Sequence, residues 1–150
     1  MKPTPASASR ETRAPTPQRS ATMRAVKSRG NTTTEVRMAK ILREHRISGW
    51  RRHWPIAGTP DFAFPKEKVA VMTHGCFWHG CPKHYRRPID NASYWAAKVE
   101  RNMKRDRLVR GRLRRTGWAV LTFWEHDLKC SESVAARIRR SLEKRGRIAA

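Results

Sequence analysis

A dense group of metal-binding and aromatic residues occurs in the segment THGCFWHGCPKHY, midway along the chain. Four residues separate Cys76 from Cys81, and His84 follows shortly after. Thiolates and imidazoles on so short a segment are typical of a tetrahedral zinc site. The fourth ligand must come from elsewhere, and the candidates are His126 and Cys130, which follow the last predicted strand.

A second set of residues offers oxygen ligands. Asp61 opens a predicted strand, and Thr73 lies at the end of the next one. If these strands are neighbours, the Asp61 carboxylate and the Thr73 backbone carbonyl can share a hard cation such as Mg²⁺. A role in starting the strand explains Asp61 equally well. Glu35 is explained more simply as the third residue of a capping box that begins at Thr32.

Two histidines and one carboxylate are candidates for proton transfer. His74 and His79 flank Cys76, and neither is needed to complete the zinc site. Imidazole titrates close enough to neutral pH to act as a general acid or base. Asp106, on the inward face of a predicted helix, can orient one of the imidazoles. An ion pair with Arg or Lys would also explain it, because a buried carboxylate needs a partner.

Large aromatic residues interrupt the same polar loop. Phe77 and Trp78 lie in a polar loop flanked by glycines, where burial of large side chains in a core is difficult to achieve. Apolar side chains that enter the base stack are one means of opening or kinking a DNA duplex. Trp95 is a further candidate, although the residue pattern alone favours a core position for it.

The overall charge points to a polyanionic partner. The chain of 150 residues has 34 Lys and Arg against 12 Asp and Glu, a formal net charge of +22. Such an imbalance is typical of nucleic-acid-binding proteins. No apolar run reaches the roughly 18 residues of a membrane span, and the odd number of cysteines, three, argues against a disulfide framework and for the cytoplasm. A nucleic-acid-binding protein without catalytic activity would have the same charge.

The residue pattern also predicts the elements that position these groups. Residues 1–19, rich in Pro, Ser and Thr, are predicted to form a disordered basic tail, and residues 20–150 one domain. The predicted order is helix, three strands, helix, strand, helix, which indicates an α/β fold with helices on both sides of a sheet. The predicted elements cover residues 32–49, 50–56, 61–64, 68–75, 91–117, 118–124 and 133–147.

Two helices have predicted apolar faces. That of the first helix comprises Val36, Met38, Ala39, Ile41 and Leu42. That of the long helix comprises Trp95, Val99, Met103, Val109 and Leu113.

Several motifs together resemble the very-short-patch repair (Vsr) DNA mismatch endonucleases. The resemblance covers residues 20–129 and rests on TMRAVKSR, GTPDFAF, VMTHGCFWHGCPKHYRRP, the N-x-x-x-D spacing of the long helix, and GWAVLTFWE. It implies a restriction-endonuclease-like fold, in which helices flank a mixed central sheet, with a structural zinc site. It also implies an enzyme that uses Mg²⁺ to nick DNA 5′ of the mispaired T in T·G mismatches, which arise when 5-methylcytosine deaminates.

The resemblance also implies roles for individual residues. The implied catalytic residues are Asp61, His74, His79, Asp106 and Glu35, with Asp61 and the Thr73 carbonyl holding Mg²⁺. The implied zinc ligands are Cys76, Cys81, His84 and His126, the last favoured over Cys130. Cys81 stands where the family can have a histidine, whereas His84 and His126 stand where it can have cysteines. The implied DNA-contacting residues are Phe77, Trp78, Trp95, Met23, Val26 and Arg24.

The expected partner is double-stranded DNA with a T·G mismatch, and mismatch-repair proteins are further candidates. We expect a monomer, with no membrane association, that works in the cytoplasm at the nucleoid. The alternative interpretation is a zinc-stabilised nucleic-acid-binding protein without catalytic activity.

Overall fold

A computed structural model describes residues 34–149 of the protein, with side chains up to residue 146. The predicted tail of residues 1–19 and the candidates Met23, Arg24, Val26 and Thr32 therefore lie outside the described residues. Within the described part, no helix is both long and apolar enough to cross a bilayer.

The described residues form a four-stranded mixed sheet and three α-helices. In chain order the elements are α1 (Glu35–Glu44), β1 (Arg51–Arg52), β2 (Phe62–Phe64), β3 (Val69–His74), α2 (Ala92–Arg115), β4 (Ala119–Trp124), a 3₁₀ turn (Asp127–Lys129) and α3 (Ser131–Ala149). The sheet order is β1-β2-β3-β4, antiparallel except for the parallel pair β3 and β4. This arrangement confirms the predicted α/β class and element order.

Strand β3 shows how helices cover both faces of the sheet. Its residues VAVMTH alternate between the two faces, as the pleat requires. Val69 and Val71 pack in a core with residues of α1 and α3, whereas Ala70 packs on the other face with Leu113 of α2. Burial on both faces explains why this strand is an almost continuous apolar run.

The start of α1 differs from the prediction. The helix begins at Glu35 with Thr34 at the N-cap position, so Glu35 is the first helical residue and not the third. The predicted capping box with Thr32 is therefore wrong. Glu35 is 4% exposed, and its carboxylate pairs with Arg52 at the end of β1, so the side chain is directed into the fold.

Three further predictions need correction. The strand expected over residues 50–56 is reduced to Arg51–Arg52. Val36, predicted on the apolar face of α1, is exposed. Met103 is 37% exposed and covers the backbone of Gly80, where a Cβ would lie 2.7 Å from the Met103 sulfur. Gly80 has a φ of +64°, so this close approach and the left-handed conformation both favour glycine.

One edge of the sheet gathers the ends of all four strands. Because β1 and β2 are antiparallel, as are β2 and β3, the end of β1 lies beside the start of β2 and the end of β3. Strand β4 is parallel to β3 and also ends there, with His74 opposite Trp124. Polar residues at these four ends are therefore brought together although they are far apart in sequence.

Candidate functional site

The four predicted thiolate and imidazole ligands lie together in what we call the thiolate cluster: Cys76, Cys81, His84 and His126. Cys76 Sγ and Cys81 Sγ lie 3.3 and 3.6 Å from His126 Nδ1. His84 Nδ1 lies 3.1 Å from His126 Nδ1 and 3.9 Å from Cys81 Sγ. All four ligand atoms lie within 4.8 Å of one another. Cys130 is exposed and is not a member of this group.

The spacing of the thiolate cluster fits a tetrahedral metal site. Metal bonds of about 2.0 Å to nitrogen and 2.3 Å to sulfur place neighbouring ligand atoms roughly 3.3–3.8 Å apart. Burial, together with the neighbouring Cys81 thiol, raises the pKa of Cys76. A bound cation would offset this effect because it stabilises the thiolate directly. The cluster joins the loop after β3 to the end of β4, so an ion there would fix the loop to the sheet.

Asp61 and Thr73 also meet at this edge. The Thr73 N–H donates to Asp61 Oδ2 over 2.7 Å, and the Thr73 hydroxyl donates to the same oxygen over 3.0 Å. This contact uses the amide and hydroxyl of Thr73, whereas its carbonyl was predicted to bind Mg²⁺; that role stays a prediction. The two hydrogen bonds fix the orientation of the Asp61 carboxylate.

Glu35 and His53 join Asp61 in a second group, which we call the carboxylate pocket. Glu35 Oε2 accepts a hydrogen bond from Arg52 Nη2 over 2.6 Å and lies 3.5 Å from His53 Nε2. One ligand atom each from Glu35, His53 and Asp61 lies within 4.8 Å of the others. Burial raises the pKa of Asp61 to about 6, opposed by the Thr73 hydrogen bond and supported by the negative charge of Glu35. Two carboxylates this close repel each other when both are ionised, and a cation between them would offset that repulsion.

His74 and His79 form a stacked pair beside Asp106. Their ring centroids are 4.0 Å apart, and the ring planes differ by 5°. His79 Nδ1 donates to Asp106 Oδ2 over 2.6 Å, and His74 Nε2 lies 3.9 Å from Asp106 Oδ1. A carboxylate on Nδ1 selects the imidazole tautomer whose Nε2 is free to accept a proton.

The electrostatic environment keeps His74 uncharged and Asp106 ionised. Burial, and then the neighbouring His79, lowers the pKa of His74 to about 4, so this imidazole is neutral at pH 7. Burial alone would raise the pKa of Asp106, but the hydrogen bond from His79 and the nearby charges outweigh it and hold the pKa below its usual value. Asp106 is therefore ionised, which suits a residue that orients an imidazole and stabilises its protonated form.

One cavity of about 660 Å³ adjoins the carboxylates of Glu35 and Asp61 and the histidine pair. The predicted catalytic residues all line it, and basic and amide side chains of α2 line it as well. The acidic, histidine and threonine residues of the wall are Glu35, Asp61, Thr73, His74, His79 and Asp106, and the α2 residues are Lys98, Asn102, Arg105 and Arg110. A phosphate that entered the cavity would meet both the basic side chains of α2 and the carboxylates.

The predicted aromatic residues form a group beside the cavity. Phe77 lies 5.2 Å from Trp78 and 5.7 Å from Trp95 between ring centroids, and the two tryptophans are 5.9 Å apart. Lys98 Nζ lies within 6 Å of both tryptophan rings, at 5.2 and 5.8 Å. Asn102 Nδ2 donates to the Trp78 carbonyl over 2.9 Å. Trp95 therefore packs with the loop aromatics, which differs from the core position that the residue pattern alone favoured.

Sequence reasoning did not identify His53, Arg52 or Asn102. The alternation of WRRHWPI placed His53 in a strand, but its φ of +48° puts it in a turn immediately after β1. Its nearness to Asp61 depends on the pairing of β1 with β2, which no local pattern reveals. Asn102 is part of the N-x-x-x-D spacing, yet nothing in the sequence marks its contact with the loop.

Comparison with known proteins finds relatives that are named as a DNA mismatch endonuclease or as nicking enzymes. The family model described as DNA mismatch endonuclease Vsr matches residues 14–86. The type II nicking enzyme V.NmeDIP of Neisseria meningitidis serogroup C is 40% identical over 129 residues, which cover 81% of this chain and 86% of that protein. DNA mismatch endonuclease Vsr of Escherichia coli (strain K12) is 33% identical over 117 residues, 77% of this chain and 74% of that one. The type II nicking enzyme V.NaeI of Lentzea aerocolonigenes is 49% identical over 77 residues, 46% of its own length.

Proposed function

This chain belongs to the family of DNA mismatch endonuclease Vsr, and on that premise we propose that it nicks DNA 5′ of the mispaired T in T·G mismatches. Members of this family are nucleases that hydrolyse phosphodiester bonds of DNA. The observation that supports the proposal most directly is the single cavity that contains Asp61, the His74–His79 pair and Asp106. We also propose that the mixed sheet and its flanking helices form a restriction-endonuclease-like fold.

The carboxylate pocket supplies the place for a divalent cation. Asp61, oriented by Thr73, would hold Mg²⁺ together with the Thr73 carbonyl. When bound, Mg²⁺ would offset negative charge on the reacting phosphate and assist an attacking water or the leaving oxygen. Glu35 lies close enough to add its charge to the same position.

The histidine pair would carry out the proton transfer. His79 is oriented by Asp106 through its Nδ1, so its Nε2 can accept a proton from water or return one to the leaving oxygen. His74 is neutral at pH 7 and stacks on His79, which restricts the rotation of that ring. Arg105 and Arg110 would hold the phosphate near these groups.

The aromatic group would recognise the mismatch. Phe77, Trp78 and Trp95 are half-buried and project beside the cavity, where they can enter the base stack of a duplex. A T·G pair unstacks at lower cost than a Watson–Crick pair, so insertion favours the mismatch. Met23, Arg24 and Val26 remain predicted DNA contacts.

The thiolate cluster has a structural part in this proposal. Zinc is the ion that its four ligands suit, because two thiolates and two imidazoles complete a tetrahedron and leave no position for substrate. The ion would hold Phe77, Trp78 and His79 at fixed places on the loop between Cys76 and Cys81. Monomeric state, nucleoid location and mismatch-repair partners remain predictions.

A strand-nicking assay tests the proposed function. The protein is incubated with Mg²⁺ and end-labelled duplexes that differ only in one base pair: T·G, T·A, C·G or another mismatch, each in several flanking sequences. We expect a nick 5′ of the T in the T·G duplex, and binding that weakens steeply as salt rises. Binding without a nick in any sequence context would support the catalytically inactive alternative. Equal cleavage of the matched duplexes would contradict mismatch recognition.

A further inference from the structure

The carboxylate pocket contains a residue for which the proposed reaction has no role so far. His53 Nε2 lies 3.5 Å from Glu35 Oε2. That separation is longer than a good nitrogen–oxygen hydrogen bond, which measures about 2.7–3.2 Å. It is close to the separation of roughly 3.0–3.3 Å between adjacent ligands of a six-coordinate ion with bonds near 2.1–2.3 Å.

The backbone fixes His53 in this position. Its φ of +48° is unusual for a residue with a side chain. The His53 N–H is directed at the Asp61 carbonyl oxygen at 3.4 Å, one step beyond the last paired residues of β1 and β2. Residues kept in sparsely populated conformations are concentrated at functional sites. The same strand pair thus places the imidazole of His53 and the carboxylate of Asp61 side by side.

Charge also favours a cation at this point. Glu35 and Asp61 contribute two carboxylates in a largely buried setting, where Arg52 pairs with Glu35 Oε2. A neutral imidazole has a lone pair that can complete a set of one nitrogen and two oxygens. Imidazole is a better ligand for first-row transition ions than for Mg²⁺.

We propose that His53 is a nitrogen ligand of the divalent cation held by Asp61 and Glu35, and that it makes the pocket bind Mn²⁺ more tightly than Mg²⁺. This inference rests on the proposed function for the identity of the pocket. His53 determines which divalent ion binds more tightly, whereas Asp61 and Glu35 provide the charge that any divalent ion requires.

Pulsed electron paramagnetic resonance of the zinc-loaded full chain with added Mn²⁺ provides the test. A nitrogen bonded to Mn²⁺ gives a characteristic ¹⁴N modulation. We expect the modulation in the wild type and its loss in His53→Asn, because asparagine tolerates a positive φ but lacks the imidazole. The matched control is His45→Asn, which removes a half-buried histidine at the end of α1, outside both ligand groups. It should keep the modulation.

Calorimetric titration gives the second measurement. His53→Asn should weaken Mn²⁺ binding by about tenfold or more and Mg²⁺ binding by less than about threefold. A wild-type spectrum without ¹⁴N modulation would overturn the proposal without any variant. Modulation that persists in His53→Asn would overturn it too, since another histidine would then be the ligand. Nicking of T·G duplex by the wild type in Mg²⁺ is measured separately, so a failure of the proposed function is distinguishable from a failure of this inference.

Discussion

The thiolate cluster and the carboxylate pocket are built from the same sheet edge but differ in ligand chemistry and in access. The cluster brings together two sulfurs and two nitrogens, with four of their separations at 3.1–3.9 Å and all within 4.8 Å, which suits a tetrahedron. The pocket offers two carboxylates and one imidazole, and Glu35 and Asp61 line the cavity. A complete ligand set suits a structural ion, whereas an open one leaves positions for water and phosphate. The comparison therefore predicts that the two sites respond differently to substitution.

The largest difference is expected from Asp61→Asn. Nicking of the T·G duplex should fall by about a thousandfold or more, because the ligand that carries the charge is lost. The fold should persist, since the asparagine oxygen can still accept from the Thr73 amide and hydroxyl. Single-turnover nicking and thermal unfolding measure the two effects. Glu132→Gln, an exposed acid in the first turn of α3, is the control. Undiminished nicking by Asp61→Asn would contradict its assignment as the metal ligand.

Cys81→Ser should affect stability and activity together. Cys81 is fully buried in the thiolate cluster, so loss of its thiolate should release the ion and reduce the free energy of unfolding by about 4 kcal/mol or more. Nicking should fall by about a hundredfold because Phe77, Trp78 and His79 are no longer held. Zinc content, thermal unfolding and nicking are measured on one preparation. Cys130→Ser removes an exposed cysteine and should leave all three unchanged; loss of zinc from that variant would show that the fourth ligand is misassigned.

A smaller effect is expected from His84→Cys. The thiolate cluster depends on four suitable donor atoms and not on which of them are sulfur, so a third cysteine should keep zinc and change nicking by less than about threefold. His84 is exposed, which leaves room for the altered side chain. Metal analysis and nicking check this result. Loss of zinc would show that the cluster is less tolerant than its ligand chemistry suggests.

The same comparison explains what the sequence could predict. Three residues of the thiolate cluster lie within nine positions, so their spacing predicts a metal site before any fold is known. Asp61, Thr73, His74 and His79 were identified largely because the motif resembles a family, and the structure places them around one cavity. His53 meets Asp61 through the pairing of β1 with β2, and Glu35 approaches both from the start of α1. The local pattern misassigned Glu35 to a capping box, because the contact of its carboxylate with Arg52 of another element has no local signal. It misassigned His53 to a strand, because its positive φ is not evident from the alternation of residue types.

The smallest effect on the wild type is the pH dependence of its stability in the absence of Mg²⁺. The pKa of Asp61 is raised from 3.8 to about 6 in the folded protein, so its contribution to stability is present below pH 3.8 and is lost as the pH rises through 6. That of His74 is lowered from 6.5 to about 4, so its contribution is present above pH 6.5 and is lost as the pH falls through 4. Between pH 4 and 6 the two contributions oppose each other, each amounting to about 3 kcal/mol, and the wild type should show a weak net dependence from this pair.

Asp61→Asn separates these contributions. At pH 7 without Mg²⁺ the variant should be more stable than the wild type by about 3 kcal/mol, because it does not bury a charged carboxylate beside Glu35. The difference should shrink to near zero at pH 4, where Asp61 is largely protonated in the wild type. Groups common to both proteins, including the thiolate cluster and His74, cancel in the difference measured by denaturant unfolding. Added Mg²⁺ should reduce the difference at pH 7 by stabilising only the wild type. A difference independent of both pH and Mg²⁺ would mean that the carboxylate pocket is a closed structural feature like the thiolate cluster.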